Sequence, residues 1–306
     1  MIETDNNQNH AKDFCPICHS LNIVPEFRSA DFAVSKNIYL VLKCKDCGFL
    51  MTDITYDCKS MSDFEKVDRK LRQGYSPKNF LDFCYSITRR FMLHRKAWYV
   101  HWMTGLYNGT LINYGAKTGF FSSTMEKKGW NVLSYESIAG ERDFSKRMLD
   151  HRMFPPEELD NLPIGCADAV TMWHSFEHMD NPKLILLKLC RVLSRNGLIF
   201  MALPNADSYD AAYYKQYWAA WDVPRHLWHF TPKTCQQLAS AVGLSLMYKK
   251  PMPFDVFYIS ILSERNKKTH FAFLRGLLRG FVFFLMSIKD KNKASSVLYV
   301  FKKTKR

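Results

Sequence analysis

From Thr110 to Glu136 the chain reads as strand, turn, helix, strand and acid. An apolar run, Leu111-Ile112-Asn113-Tyr114, passes into the small-residue turn Gly115-Ala116-Lys117-Thr118-Gly119. A helical segment follows from Phe120 to Gly129, and a second apolar run, Val132-Leu133-Ser134-Tyr135, ends on Glu136. A strand that enters a helix through a tight turn and returns as another strand is a βαβ unit, which demands a parallel sheet. The pattern also points to a ligand. Glycines let the backbone turn sharply at a helix N-terminus and approach a bound group closely, and an acid about 20 residues on accepts ribose hydroxyls. A ribosyl cofactor is the expected occupant, provided the rest of the chain agrees.

The downstream sequence continues the alternation. Arg142 to Asp150 reads as a helix, and Pro155-Pro156 breaks the chain before a polar loop. Asp168-Ala169-Val170-Thr171-Met172-Trp173 reads as a buried strand, followed by His174-Ser175-Phe176-Glu177-His178. Pro182 opens a helix from Leu184 to Leu193, Asn196-Gly197 ends it, and Leu198 to Leu203 is the next strand. A helix starting near Thr231-Pro232 runs to Leu244, and Ser245 to Lys249 and Val297 to Phe301 are further strands. Alternating strands and helices predict an α/β chain with a doubly wound, mostly parallel sheet. Ligands bind at the carboxyl ends of such strands. The Gly115 turn, Glu136, the stretch from His174 to His178 and Pro204-Asn205 should therefore share one rim.

Upstream lies a different kind of sequence. Cys15-Pro16-Ile17-Cys18 is followed by Cys44-Lys45-Asp46-Cys47, with the alternating strand Ile38-Tyr39-Leu40-Val41-Leu42 between them. Paired knuckles at this separation suit a zinc ribbon, because each turn points two thiolates at one tetrahedral ion. Closed four-cysteine sites are structural, so the expected role of Cys15, Cys18, Cys44 and Cys47 is to fold a module too small for its own core. Cys58, Cys84, Cys166, Cys190 and Cys235 stand singly and read as small core residues.

A chain of 306 residues accommodates one substantial domain plus a smaller module. We expect a zinc ribbon over residues 1–59, a helical linker over 60–105 and the main domain over 106–306, with a helical insertion around 254–290. The linker carries Phe80, Phe83, Cys84, Ile87, Phe91, Leu93 and Trp98 at helical spacing, with Arg89-Arg90 and His94-Arg95-Lys96 as a basic band for which a solvated helix face is the first reading and an anionic substrate the second. The net charge of +14, from 43 basic against 29 acidic residues, favours anionic partners, nucleic acid included. Nine cysteines behind a polar start argue for a reducing cytoplasmic setting. No uncharged apolar run is long enough to span a membrane. Phe271 to Ile288, interrupted by Arg275 and Arg279, should form an amphipathic helix over a substrate pocket or a partner, with peripheral contact to a membrane surface as the other reading of residues 271–288.

Taken together, these residues resemble the bacterial class I S-adenosylmethionine-dependent methyltransferases, in particular a subgroup with an N-terminal zinc ribbon. The Gly115 turn, Glu136, the Trp-His-x-x-Glu-His of Trp173 to His178, Pro204-Asn205, Trp218 and the run from Asp222 to Thr231 carry the likeness, which covers nearly the whole chain. It implies a Rossmann-like seven-stranded sheet with a late-inserted final strand. It also implies that the Gly115 to Gly119 turn faces the methionine part of S-adenosylmethionine and that Glu136 binds the ribose. Asn113, Lys117 and Trp173 complete that cofactor set. Two positions depart from the family pattern Asp-x-Gly-x-Gly-x-Gly: the acid is Asn113 and the middle glycine is Lys117. Asn113 brings a hydrogen bond without a charge, and Lys117 is placed to pair with the cofactor carboxylate.

Methyl transfer to a hydroxyl or an acidic carbon needs a general base, and histidine suits that task near neutral pH. The candidates are His174, His178, His226 and His229; His178 is the chosen base and His226 the residue that orients the acceptor, with Glu177 beside His178 to bias its ring. Trp218, Trp221 and Trp228 are expected to shape an apolar or sugar-stacking pocket. The expected acceptor is a small molecule, a sugar or another hydroxyl compound, with sugar C-methylation among the alternatives. A ribosomal or transfer RNA methyltransferase is the rival enzyme reading, although Trp173-His174-Ser175-Phe176 stands where amine-methylating nucleic-acid enzymes often show Asn/Asp-Pro-Pro-aromatic. A non-catalytic module that kept the fold is the rival outside enzymes. His174 to His178 also matches the H-x-x-E-H protease signature, but that signature belongs on a helix, and this stretch leaves a buried strand.

Overall fold

The computed structural model of the chain describes residues 14–54 and 80–304, with side chains from residue 89 onward in the helix that opens the second stretch. Residues 1–13, the part of the expected linker up to residue 79 with Cys58, the Cys84 side chain, and the last two residues of the basic tail lie outside the described residues. The chain divides into two compact units. Among the described residues, the first draws on 14–54, Pro204–Ala241 and Pro253–Ser295, and the second on 80–203, Val242–Met252 and 296–304.

In the first unit, β1 (Ile23–Ala30), β2 (Ile38–Cys44) and β3 (Leu50–Asp53) form an antiparallel meander. The two-residue strand Trp228–His229 joins it from far along the chain, pairing Met51 with Trp228 and Leu50 with His229. Neither this strand nor β1 is readable in the sequence. The first is too short to show a period, and β1 mixes Pro25, Glu26 and Arg28 into a half-exposed strand. The core gathers Tyr39, Val41, Tyr214, Trp218, Trp221 and Phe283.

The second unit contains the expected sheet. Its strands are β4 (Gly109–Tyr114), β5 (Trp130–Tyr135), β6 (Met153–Phe154), β7 (Ala167–Trp173) and β8 (Leu193–Pro204), together with β10 (Leu244–Pro251) and β11 (Ser296–Lys303), the Trp228–His229 strand being β9. The sheet order is β10-β11-β8-β7-β4-β5-β6. Contacts from β6 through β8 are parallel and β10 pairs antiparallel with β11, so the last strand of the chain enters between earlier ones. Helix α1 (Phe80–Thr104) packs over this unit through Ala97, Tyr99 and Val100, against Leu111, Phe121, Met125, Trp173, Phe200 and Leu298. Parallel strands covered on both faces are mostly apolar, and Leu111, Ile112 and Tyr114 are all buried, with Asn113 between them as a buried polar exception.

Local chemistry sets the helix ends. Helix α2 (Phe120–Glu126) starts from the left-handed Gly119 and gives way to Gly129 at φ 90, so it is shorter than its apolar pattern suggests. Helix α3 spans Ala139–Leu149. Helix α4 (Pro182–Val192) has Pro182 in its first turn and Asn181 as cap, whose side chain accepts from the Leu184 N–H at 3.0 Å. The remaining helices are α5 (Tyr209–Tyr214), α6 (Pro232–Ala241), α7 (Asp255–Asn266) and α8 (Ala272–Lys289). Among the described residues, no helix is long and apolar enough to cross a membrane.

Candidate cofactor site and thiol cluster

The turn after β4 hangs from β5: the N–H groups of Gly115 and Ala116 both donate to the Tyr135 carbonyl, at 2.9 and 3.0 Å. Gly115 sits at φ 71, and a Cβ there would come within 2.3 Å of the Ser175 Cβ. Gly119 sits at φ 78, and a Cβ there would meet Ser145 Oγ at 2.4 Å. Each glycine is required by its dihedral angle and again by the space it lacks. Lys117, in the family's middle-glycine position, takes φ 51. The turn thus holds a left-handed backbone at Lys117, at a strain of about 1–2 kcal/mol for a residue with a Cβ.

Glu136 explains how that strain is held. The residue is buried, with 5% of its surface exposed. Its Oε2 accepts from the Lys117 N–H at 2.7 Å, and its Oε1 accepts from the Ile138 N–H at 3.1 Å and the Ser137 hydroxyl at 3.3 Å. Glu136 therefore fixes the turn as well as standing at the end of the second strand. Arg142 holds the segment from behind, donating to the carbonyls of Glu136 and Ser137, each at 2.7 Å.

Asn113 is buried and engaged at both ends of its amide. Nδ2 donates to Ser122 Oγ at 2.8 Å, and Oδ1 accepts from Thr171 Oγ1 at 3.0 Å. The network continues from Ser122 to Ser134 at 2.7 Å, from Ser134 to His151 Nε2 at 2.8 Å, and from His151 Nδ1 to Glu126 at 2.8 Å. It ties β4 to β7, β5 and α2 beneath the turn. Thr171, Ser122, Ser134 and His151 had no signal in the sequence, since buried hydroxyls show no period of their own.

At the end of β7, Trp173 is buried with its indole Nε1 lacking a hydrogen-bond partner. Phe121 meets its ring edge-on at 5.4 Å, and the Lys96 ammonium lies 4.9 Å from its centroid. His174 adopts φ 52 and donates its N–H to the Ala202 carbonyl at 3.0 Å. Its Nδ1 lies 3.8 Å from Glu177 Oε1. Ser175 donates to the Tyr114 carbonyl at 2.9 Å, which locks this loop onto the end of β4. Phe176–His178 is a single tight turn, with the His178 N–H donating to the Ser175 carbonyl at 3.2 Å. That geometry is a loop end and not the helix on which the protease signature depends.

The same rim carries a pocket lined by Arg95, Lys96 and Tyr99 of α1, Trp173, Lys250 and Leu298. Arg95 donates to the Tyr99 hydroxyl at 3.3 Å, and the Lys250 ammonium stands 5.1 Å over the Tyr99 ring. Burial alone would raise the Tyr99 pKa, but the hydrogen bonds and charges of Lys250 and Arg95 outweigh it and the net shift is downward. Arg95 and Lys96 thus line a pocket rather than only a solvated helix face, and Tyr99 and Lys250 join them from positions that pattern reading does not single out.

In the first unit, His226 is 9% exposed, with Nδ1 2.8 Å from the Ala220 carbonyl and Nε2 3.9 Å from Asp222 Oδ2. Its carbonyl accepts from Thr52 Oγ1 at 2.7 Å, and the same hydroxyl lies 2.9 Å from His229 Nε2. Burial, reinforced by the charge of His226, lowers the His229 pKa to about 3, so His229 is neutral in the working range and serves the core. The three tryptophans also belong to structure. Trp218, Trp221 and Trp228 are buried, with the Trp218 indole donating to Asp210 and the Trp221 indole to the Lys215 carbonyl, both at 2.7 Å. Arg225 is held between Asp222 and Asp31, the latter at 2.9 Å.

Cys15, Cys18, Cys44 and Cys47 converge, all four Sγ atoms lying within 4.8 Å of one another. Cys15 to Cys47 and Cys18 to Cys44 are each 3.5 Å. A tetrahedral zinc with Zn–S bonds of about 2.3 Å spaces its sulfurs roughly 3.8 Å apart, so the four thiols fit that ion with small adjustment. Each knuckle closes alike: the His19 N–H donates to the Cys15 carbonyl and the Gly48 N–H to the Cys44 carbonyl, both at 2.9 Å. Burial pushes the Cys15 thiol up to about 11 and the Cys47 thiol higher still. A coordinated dication removes that penalty by neutralising the thiolates.

Comparison with known proteins agrees with this geometry. The family model described as a methyltransferase domain matches residues 89–249, just over half of the chain. A search of curated proteins finds no match. Among solved structures, a proposed sarcosine dimethylglycine methyltransferase from Galdieria sulphuraria superposes with a TM-score of 0.50 at 14% identity, over 72% of this chain and 86% of that one. The geranyl diphosphate C-methyltransferase of Streptomyces coelicolor gives 0.50 at 14% identity, over 75% and 88%. At that identity the likeness is one of fold, and the fold is that of the seven-stranded sheet described above. The family match over residues 89–249, on a seven-stranded sheet with a glycine turn after its first strand, makes the chain a member of the class I S-adenosylmethionine-dependent methyltransferase family.

Proposed function

We propose that this protein uses S-adenosylmethionine to methylate a small-molecule acceptor, and that a structural zinc ion occupies its four-cysteine cluster. The observation that carries the reading is the turn from Gly115 to Gly119. It keeps left-handed backbone at three positions and is braced by an acid that ends the neighbouring strand. A carboxylate offers about four acceptor sites. Glu136 retains capacity on Oε2, and rotation of the Ser137 hydroxyl frees a further site on Oε1, which together suit the two hydroxyls of a ribose. The Lys117 side chain is assigned to the cofactor carboxylate. Asn113, held in the network beneath the turn, supports the cofactor set by positioning β4.

When bound, the cofactor supplies an electrophilic methyl group. The chain must align a nucleophile with it and keep water out. His178, in the turn after β7 at the carboxyl rim, is assigned as the base that takes the acceptor proton, with Glu177 and His174 ordering that turn. His226 is assigned to acceptor orientation. Arg95, Lys96 and Lys250 give the end of β7 and β10 a positive charge, which favours an acceptor bearing an anionic group.

The test is transfer of labelled methyl from S-adenosylmethionine into the small-molecule and RNA fractions of a cell extract. Label in small anionic compounds supports the proposal, and label confined to RNA replaces it with the RNA reading. Once an acceptor is identified, His178→Ala should lower turnover by about 10²–10⁴ while cofactor affinity stays near wild type. Near-normal turnover in that variant would remove His178 from the role.

A further inference from the structure

Helix α8 is apolar on two opposite faces, and among the described residues only one of them is covered. Gly276, Gly280, Phe283 and Ser287 form the buried face. A Cβ on Gly276 would come 2.4 Å from the Ile261 Cα, and one on Gly280 3.0 Å from the Phe257 Cα, so the two glycines let α8 lie directly on the backbone of α7. Leu274, Leu278, Phe281, Leu285 and Ile288 fall on a single stripe on the other side, at about 100° per residue. Each of them is between 45% and 59% exposed. Folded chains seldom leave a continuous apolar stripe of this length in water unless something covers it.

The charge around the stripe says what covers it. From residue 267 to 293 the chain carries Lys267, Lys268, Arg275, Arg279, Lys289, Lys291 and Lys293 against the single acid Asp290. Arg275, Arg279 and Lys289 lie on one flank of the stripe, while Lys268, Lys289 and Lys291 are exposed at its two ends. Some of these charges have internal roles: Arg275 lies 3.7 Å from the buried Glu264, Arg279 stands 4.8 Å over the Tyr213 ring, and Lys293 pairs with Asp207. A second copy packed by two-fold symmetry would set this basic flank against its own image, which disfavours self-association. The helix is not apolar enough to cross a bilayer. A broad apolar stripe beside a basic flank is the arrangement that lies in the plane of a membrane, with side chains in the acyl boundary and cations among anionic headgroups.

We propose that α8 docks this protein onto the surface of an anionic phospholipid bilayer. Docking is independent of the methyltransferase reading, because it needs neither cofactor nor acceptor. The experiment is flotation of the full chain with vesicles of phosphatidylcholine alone and of phosphatidylcholine mixed with phosphatidylglycerol. The protein should float with the mixed vesicles and release as salt is raised. Leu278→Glu with Phe281→Glu should reduce the bound fraction roughly tenfold or more. Lys268→Glu, Lys289→Glu and Lys291→Glu together should reduce it roughly tenfold on mixed vesicles only. All five positions are exposed, so the melting temperatures should stay at the wild-type value, which separates lost docking from lost folding. Wild type that stays with the soluble fraction, or flotation unchanged by the Leu278 and Phe281 changes, overturns the proposal. So does light scattering that finds a wild-type dimer turned monomer by the same pair, since a second copy would then be the occupant.

Discussion

In the cysteine knuckles the left-handed positions are His19 and Gly48, and in the turn after β4 they are Gly115, Lys117 and Gly119. A Cβ added at Gly48 meets nothing within 4 Å, whereas one added at Gly115 or Gly119 runs into atoms at 2.3 or 2.4 Å. The knuckles therefore need only a dihedral angle, which histidine supplies at position 19 with some backbone strain and glycine supplies at 48 without it. The turn needs the angle and the absence of a side chain. The difference follows from what each loop is for. A knuckle wraps around its own thiols and leaves its outer side free. The turn is pressed between the Ser175 loop and Ser145, with its backbone braced by Glu136 for the proposed cofactor.

The largest expected effect lies on the knuckle side. Zinc analysis of protein purified without chelator should find one ion per chain, and Cys44→Ser should remove it. Metal binding contributes about 10–16 kcal/mol to the folding of small zinc modules. The variant should therefore lose cooperative unfolding of the first unit while S-adenosylhomocysteine binding persists. Metal-free protein with an unchanged melting profile would end the structural-zinc account.

The next effect contrasts the two loops directly. Gly115→Ala carries a backbone cost of about 1–2 kcal/mol plus the clash with Ser175, and should abolish measurable cofactor binding. Gly48→Ala carries the backbone cost alone and should lower stability by about 1 kcal/mol with metal retained. Adding Ser175→Gly to Gly115→Ala should restore part of the binding. Equal losses at Gly48 and Gly115, by calorimetry and thermal melts, would erase the distinction.

The smallest effect concerns Lys117. Lys117→Gly relieves left-handed strain but frees the unfolded chain, so the net gain should be under about 1 kcal/mol, visible as a small rise in melting temperature. A clear loss of stability would mean that the lysine side chain itself anchors the turn.

Much of this was legible before any coordinates. The alternation from Leu111 to Leu203 is strong because parallel strands covered on both faces are mostly apolar, and β4, β5 and β7 start within two residues of their expected positions, whereas β8 starts at Leu193 and takes in the Asn196-Gly197 expected as a helix end. The cysteines were legible because coordination imposes spacing. Long-range pairing was not. Trp228–His229 completes a sheet begun 205 residues earlier, at Ile23, and no local pattern in two residues reports that. Trp218, Trp221 and Trp228 looked like a binding surface because aromatic density is common to pockets and cores, and only burial tells them apart. Asn113 looked like a weakened cofactor contact. Its amide instead joins Thr171 to Ser122, a role that depends on partners 58 and 9 residues away. The outward face of α8 shows the same limit, since periodicity reveals two apolar faces but not which one is covered.

The central claim is that the turn and Glu136 form a working cofactor site despite Asn113 and Lys117. Calorimetric titration of the full chain with S-adenosylhomocysteine tests it most directly. Each charge-assisted hydrogen bond to Glu136 is worth about 1.5–3 kcal/mol. Wild type should bind, and Glu136→Ala, checked by melting to remain folded, should bind at least roughly tenfold more weakly. No heat from wild type at millimolar ligand, or equal affinity in a folded Glu136→Ala, would contradict the account and leave a methyltransferase fold without its cofactor.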